Sequence, residues 1–231
     1  MRLSVQLVFA LLLVLMASSA RAERIFESAS IGTPGQDGML GGTTVSNTQF
    51  IGVKFQYTGD VPVTTGSVGG HFFGNVFASG TIFAAIVDLG FTNNFPPGFN
   101  IATPGTALGS TLIPLPAGFP SSNDYAANVA VTLEPDHFYA LIFGSGLFGA
   151  TNPGAGAPGG DTDIGAPEYF VIDGPTATFK PVTLSGVRLF LDTDAIASVP
   201  EPSSLAIALF AAASLGVIGW RKRRAISQNV G

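Results

Sequence analysis

Asp161 and Asp163 are the residues whose type and spacing point most directly to chemistry. Two carboxylates two positions apart in a Gly-rich stretch can share one Ca²⁺, which takes about six to eight oxygen ligands. An EF-hand loop would also need an oxygen donor at position 165 and a glutamate at position 172, where this chain has Gly165 and Ile172. The sequence leaves open a calcium site at Asp161 and Asp163 or an ordinary acidic turn, and it favours the turn. No other cofactor is expected.

His71 and His137 are the two histidines of the chain. A Ser-His-Asp hydrolase would need one of them beside a nucleophile and a carboxylate. Asp136 directly precedes His137, so on a strand the two side chains would point to opposite faces. The spacing Gly-x-Ser-x-Gly of a nucleophile elbow does not occur, because the two glycines nearest Ser145 adjoin it directly. We therefore predict a protein that is not an enzyme, with both histidines at the core edge or on the surface.

Two functions that involve sugars remain as alternatives. A glycosidase needs two carboxyl groups across a cleft, which Glu134, Glu168 or several aspartates could supply, but a sequence does not show their separation. A carbohydrate-binding module uses exposed aromatic faces, and the only tryptophan, Trp220, lies near the C-terminus. The phenylalanines are interpreted as core residues. The aromatic residues left for sugar contact are then four tyrosines: Tyr57, Tyr125, Tyr139 and Tyr169.

The segment after residue 198 combines three unlike pieces in a fixed order. Pro200, Glu201 and Pro202 predict an extended, exposed strip, because proline fixes its own φ and pushes the preceding residue away from the helical region. The mainly apolar run 203–220 follows. As a helix rising about 1.5 Å per residue, it would just span a hydrocarbon core of about 30 Å. A cluster of four cations then acts as a cytoplasmic stop: Arg221, Lys222, Arg223 and Arg224.

In this order the three pieces resemble the PEP-CTERM sorting signal of Gram-negative bacteria, over residues 199–224. The resemblance implies a protein that is exported, held briefly in the inner membrane, and processed by an exosortase, which is a membrane peptidase. It also implies association with exopolysaccharide, biofilm or the cell envelope. By this match Pro200, Glu201 and Pro202 are the recognition element, and the apolar run with its basic stop is the retention device. A buried core helix is the alternative interpretation of the apolar run.

The N-terminal residues predict export by the Sec machinery. Arg2 precedes an apolar stretch over 3–16, and Ala20 and Ala22 form a small-x-small cleavage pattern. The mature chain is then expected to begin at Glu23. An uncleaved signal anchor is the alternative, and it would also be exported.

The body between the two terminal segments, residues 23–198, is acidic and free of cysteine. It holds four cations against fourteen acids, a net charge of −10. Binding to nucleic acid is therefore not expected, because phosphate recognition needs clustered Lys and Arg. Without cysteine the stability of the body must come from a packed core rather than from disulfides.

Short β-branched and aromatic runs, separated by turn residues, predict an all-β body: an antiparallel β-sandwich of about nine strands. Gln49–Thr58 and Tyr125–Leu133 are the clearest strands, each with one alternating apolar face. Gly90–Pro104 and Gly144–Pro167 are predicted loops, the second one mobile because of its glycines. Two further stretches, residues 50–87 and 139–149, resemble jelly-roll bodies of other PEP-CTERM proteins. The remaining predicted strands are 67–73, 81–87, 107–113, 137–143, 168–172, 176–179 and 183–191.

The sequence thus predicts a signal peptide over 1–22, a β-sandwich over 23–198 and a sorting signal over 199–224. Within the sorting signal the transmembrane helix is 203–220 and the stop is 221–224, and 225–231 form a cytoplasmic tail. The expected function is a structural or adhesive role in the cell envelope or exopolysaccharide matrix. The alternatives are an exopolysaccharide-binding module and, third, a secreted hydrolase.

Overall fold

A computed structural model describes residues 22–30, 38–74, 79–117, 122–151, 154–159, 162–174, 179–181 and 186–193. All of them belong to one compact unit, Ala22–Ala195. The described part is built from strands and contains no helix, so the all-β prediction is confirmed. The predicted signal helix and transmembrane helix lie outside the described residues.

The described residues form fifteen strands, more than the nine or so predicted. In chain order they are β1 (Arg24–Glu27), β2 (Ala29–Ser30), β3 (Gly38–Val45), β4 (Phe50–Gln56), β5 (Val63–Phe72), β6 (Gly80–Gly90), β7 (Gly109–Leu115), β8 (Asn123–Asn128), β9 (Thr132–Leu133), β10 (Phe138–Gly144), β11 (Ala155–Gly159), β12 (Thr162–Asp163), β13 (Glu168–Ile172), β14 (Phe179–Pro181) and β15 (Leu189–Thr193).

Two antiparallel sheets make up most of the body. The small sheet has five strands in the order β1-β15-β5-β8, with β9 also paired to β5, and the large sheet has six in the order β14-β13-β4-β10-β6-β7. One apolar core contains side chains of both sheets, for example Val68 and Leu189 from the small sheet with Ile51 and Leu141 from the large one. This arrangement is consistent with the predicted β-sandwich, and the jelly-roll connectivity stays a prediction.

The outer face of the large sheet carries a second apolar core. Phe50, Phe83, Ile142 and Phe170 point to this face, because alternate residues of a strand lie on opposite sides of the sheet. The segment 91–108 covers them with the buried Ile101 and with other apolar side chains. The predicted loop Gly90–Pro104 is therefore a packed cover on the sheet.

The predicted mobile loop Gly144–Pro167 contains secondary structure, which corrects that expectation. Strand β11 pairs with β3, and β12 pairs with β2. Ala155 and Ala157 are buried in the core between the sheets. The sequence did not predict these strands, because glycine and alanine have low β-propensity. Pairing with a neighbouring strand holds these residues in the extended conformation.

The predicted strand Tyr125–Leu133 is divided into β8 and β9 by a bulge opposite Thr65. Val129 and Val131 still face the core, as predicted. The buried hydroxyl of Thr65 donates to the Val129 carbonyl at 2.7 Å and accepts from the Val131 N–H at 3.1 Å. This side chain satisfies the backbone groups that the irregular pairing leaves out of the ladder.

Phenylalanine rings lie over glycines of neighbouring strands in both sheets. A Cβ added at Gly69 would lie 2.6 Å from the nearest atom of the Phe190 ring, closer than real Cβ contacts allow. Each ring therefore occupies the space that a side chain on the facing residue would fill, which keeps the sheet faces densely packed. Four such pairs are directly opposite in register: Phe170 and Gly52, Phe190 and Gly69, Phe83 and Gly144, Phe73 and Gly156.

Gly144→Ala tests this packing, because close packing at this glycine predicts a decrease rather than an increase in the free energy of unfolding. A Gly→Ala change at a compatible φ commonly stabilises a protein by about 0.4–1 kcal/mol. The new methyl group at position 144 meets the buried rings of Phe50 and Phe83, so we expect a loss of about 1–3 kcal/mol instead. Urea unfolding of the purified protein measures the change.

The double variant Gly144→Ala/Phe50→Leu is the matched control. The smaller leucine makes room for the methyl group, so the cost of Gly144→Ala should be lower in the Phe50→Leu background than in the wild type. A Gly144→Ala variant as stable as the wild type would contradict the conclusion that the rings of Phe50 and Phe83 need the space left by this glycine.

Candidate functional site

His137 is positioned by a tight turn at the start of β10. The turn runs from Glu134 to His137, and the His137 N–H donates to the Glu134 carbonyl at 3.4 Å. Pro135 and a positive φ of 64° at Asp136 match the two central positions of a type II turn. Two more backbone bonds join the turn to Tyr57 at 2.9 Å each. The backbone around His137 is thus held in a conformation that non-glycine residues rarely adopt.

The side chain of His137 pairs with Asp88 rather than with its sequence neighbour Asp136. Its Nδ1 lies 3.1 Å from both carboxylate oxygens of Asp88, and one of those oxygens accepts the Gly90 N–H at 2.7 Å. The pair forms because β6 and β10 are neighbours whose register shifts at Phe138. We assign the Nδ1 proton to His137, since an ionised carboxylate can only accept.

Phe91 lies against this pair on the segment that leaves β6. Its ring centroid is 4.4 Å from that of His137, in an edge-to-face arrangement, while the residue remains 74% exposed. Asp88 lines an open cavity of about 460 Å³ together with the chain neighbours of Phe91, Gly90 and Thr92, and with Asn94 and Pro96, among others; Phe91 and His137 adjoin this wall but are not among its described lining residues. The structure therefore brings an exposed aromatic ring, a histidine–carboxylate pair and a concave surface to one place.

An ionic contact fixes the segment that carries Phe91. Lys54 on β4 lies 2.7 Å from the carboxylate of Glu168 on β13, and its ammonium donates to the Asn93 carbonyl at 2.9 Å. The Asn93 amide donates to the other oxygen of Glu168 at 2.6 Å. Glu168 was one possible glycosidase carboxyl in the sequence, and here it anchors the segment to the large sheet.

The other histidine belongs to a charged network on the outer face of the small sheet. His71 Nδ1 lies 3.0 Å from the Asp124 carboxylate, and the buried guanidinium of Arg188 contacts Asp124 as well. Arg188 also lies 2.5 Å from Glu27 and sits over the ring of Phe190. The buried charge of Arg188 is thus paired with two carboxylates. This pairing offsets the cost of removing the guanidinium from water.

Asp163 has a structural environment. Its carboxylate accepts the Tyr169 hydroxyl and the Gly186 N–H, both at 2.8 Å. Burial, together with the nearby carboxylate of Asp163, raises the pKa of Tyr169 well above its usual value. Asp161 lies outside the described residues, and within the described part no three potential ligand side chains cluster as a metal site. The calcium site at Asp161 and Asp163 stays a prediction.

The expected sorting residues and the signal-cleavage residue Ala20 lie outside the described residues. Ala22 is described and exposed at the start of the unit. In the described ranges no helix has the length and apolar character needed to cross a membrane.

Comparison with known families gives one match, to the PEP-CTERM protein-sorting motif over residues 198–224. The matched range includes the predicted recognition element Pro200 to Pro202 and the basic stop. The motif indicates an exported, membrane-anchored precursor that an exosortase processes, as the sequence predicted. A search of curated proteins finds no match.

The site formed by Phe91, Asp88 and His137 could not be predicted from the sequence. Asp88 was not singled out, because its partner His137 is 49 residues away and only the pairing of β6 with β10 joins them. Phe91 was counted among the core phenylalanines. One sequence signal does point to the site: the turn Pro135-Asp136 next to a histidine puts an aspartate where glycine is preferred.

Asp124→Asn tests the charged network through its pH dependence. Burial raises the pKa of Asp124, but the hydrogen bonds and charges of His71 and Arg188 outweigh it and leave the pKa below its usual value of about 4. A depressed carboxyl pKa contributes stability above the unfolded pKa and loses it as the pH falls through the folded pKa. We expect the variant to be about 1 kcal/mol less stable at pH 7.

The difference between wild type and Asp124→Asn should shrink below about pH 4, as Asp124 becomes protonated in the wild type. Urea unfolding between pH 7 and pH 3 measures it. The exposed Asp60, changed to Asn, is the control and should alter stability little. A difference that is constant over this pH range would contradict an ionic role for Asp124.

Proposed function

We propose that this protein is exported as a precursor, held in the inner membrane by residues 203–224, and processed by an exosortase. It is then delivered to the cell surface or extracellular matrix, where its β-sandwich body has a structural or adhesive role. The observation that carries this proposal is the PEP-CTERM motif at residues 198–224.

The residue types in the N-terminal and C-terminal segments support this route of export and processing. A short apolar run followed by four cations suits a temporary anchor, since the cations resist passage through the bilayer. Proline restricts the backbone of the Pro-Glu-Pro stretch in front of it toward extended conformations, the form in which a peptidase binds its substrate. At the other end, Ala20 and Ala22 suit removal of the signal peptide, so that the processed chain begins at Glu23.

The properties of the body support a structural or adhesive role. Its core is packed from both sheets and contains no cysteine, so its stability does not depend on the redox state of its surroundings. Buried charged side chains such as Lys54 and Arg188 are paired with carboxylates. A non-enzymatic role also agrees with the motifs, since no nucleophile elbow occurs in the sequence.

One observation favours the second candidate, a carbohydrate-binding body. The exposed ring of Phe91 beside the Asp88–His137 pair supplies an aromatic surface that the four tyrosines do not. Tyr139 and Tyr169 are buried, and Tyr57 and Tyr125 are half-buried against the core. A hydrolase remains the third candidate, because a histidine oriented by a carboxylate also occurs in hydrolase triads.

Changing Pro200, Glu201 and Pro202 together to alanine tests the sorting proposal. The change removes the stiff strip but leaves the apolar run and its basic stop intact. We expect the full-length precursor to accumulate in the inner membrane of the native host, measured by immunoblot of fractionated cells. The matched control changes Ile226, Ser227 and Gln228 to alanine, beyond the matched motif, and should be processed normally. Normal processing of the Pro-Glu-Pro variant would contradict the proposal.

A further inference from the structure

Phe91 is the most exposed large apolar side chain among the described residues, and it is held in place. It is 74% exposed, whereas Val61, the next, is 67% exposed. Exposing a ring of this size costs roughly 1.5–3 kcal/mol relative to burying it. The His137 ring contacts it, and the anchored segment fixes its backbone through Asn93. A fixed and mostly solvated aromatic ring is suited to stack against the apolar face of a ligand.

The groups around Phe91 are hydrogen-bonding groups with capacity left for a ligand. The Asp88 carboxylate has about four lone-pair sites. The Gly90 N–H takes one of these sites, and the His137 Nδ1–H is shared between the two oxygens. The second ring nitrogen of His137, Nε2, is a further hydrogen-bonding atom beside the carboxylate. Thr92 and Asn94 add a hydroxyl and an amide to the cavity wall. A partner with several O–H donors matches these acceptors.

The charge of the site selects against anions. Asp88 is the charged residue among the described wall residues, which include no lysine or arginine. The nearby Lys54 is already bound to Glu168. Phosphates and carboxylate-bearing sugars would meet the carboxylate of Asp88 without a lysine or arginine in the described wall to compensate, and like charges repel. A neutral ligand rich in hydroxyl groups fits both the charge and the acceptors.

The cavity has the size and rigidity of a small-ligand site. Its volume of about 460 Å³ lies within the range of about 300–1,000 Å³ typical of such sites. Pro96 and Pro97 restrict the backbone of the wall, and Phe95 packs edge-to-face on the buried Phe170. The wall is therefore largely formed before a ligand arrives, which lowers the entropic cost of binding.

We propose that Phe91, Asp88, His137 and the adjoining cavity form a binding site for a neutral hexose unit of a polysaccharide. The sugar ring stacks its C–H face on Phe91, while its hydroxyls donate to Asp88 and hydrogen-bond with His137 Nε2. This inference deepens the proposed surface role and rests on it for its biological meaning, because a secreted body with this site would attach to a neutral matrix glycan.

The test uses the purified full-length chain in lauryldimethylamine oxide, a detergent without a sugar headgroup that could compete. Isothermal titration calorimetry is run with cellohexaose, laminarihexaose and maltohexaose, and with a hexamer of mannuronic acid as the anionic probe. We expect at least one neutral hexaose to bind. Phe91→Ala should weaken that binding at least tenfold, Phe91→Trp should retain it, and the anionic hexamer should bind more weakly.

Val61→Ala is the matched control, because it removes an apolar side chain of similar exposure elsewhere on the body. Asp88→Asn is the second variant, and it should weaken binding because it replaces the charged acceptor by a neutral amide with one acceptor oxygen. Three outcomes would overturn the proposal: no neutral hexaose binds, Phe91→Ala binds as tightly as Val61→Ala, or the anionic hexamer binds tighter. The titration uses purified protein, so its result is independent of whether cells process the sorting tail.

Discussion

The body depends on one packing constraint: large aromatic rings occupy the space beside glycines of the facing strand. At Gly52 and Gly144 the rings of Phe170 and Phe83 occupy the space of a missing side chain, and these pairs lie on the outer face of the large sheet. A glycine weakens a strand because it has no side chain to pack. The aromatic ring of the facing residue fills that space, so the ring is packed and the strand is stabilised. The chain has 19 Phe and 30 Gly but no Cys, and this pairing gives an exported domain dense packing without disulfides.

The same constraint explains which parts of the fold could be predicted from sequence. Alternation of apolar residues over Gln49–Thr58 predicted β4 and its core face correctly, because Ile51, Val53 and Phe55 alternate with period two. The Gly-rich strands β3 and β11 were not predicted, because glycines do not produce an alternating apolar pattern. Their strand character depends on the partner strand, which the sequence does not identify. Asp88 and His137 were missed as a pair for a related reason: strand pairing, not sequence spacing, brings them together. The sorting tail could be recognised because its signal is local.

The segment 91–108 links the fold to the candidate site. It covers the apolar outer face of the large sheet with Ile101, and it leaves Phe91 outside that cover beside Asp88 and His137. The ionic contact of Lys54 with Glu168 and Asn93 ties the segment to two strands at once. A cover that is fixed at its base can present one ring to solvent in a constant orientation, which a mobile loop cannot do. In this account the sorting tail determines where the protein goes, and the covered sheet determines what it can contact there.

The proposed export path requires that the body reach the cell exterior after both terminal segments are removed. Intact-mass spectrometry of the protein recovered from the outside of the native host tests this step directly. The expected chain begins at Glu23 and ends before the apolar run 205–220, and therefore has a mass well below the 23.6 kDa of the full sequence. Recovery of the full 231-residue chain from the exterior, or of the intact chain from the cytosol alone, would contradict it.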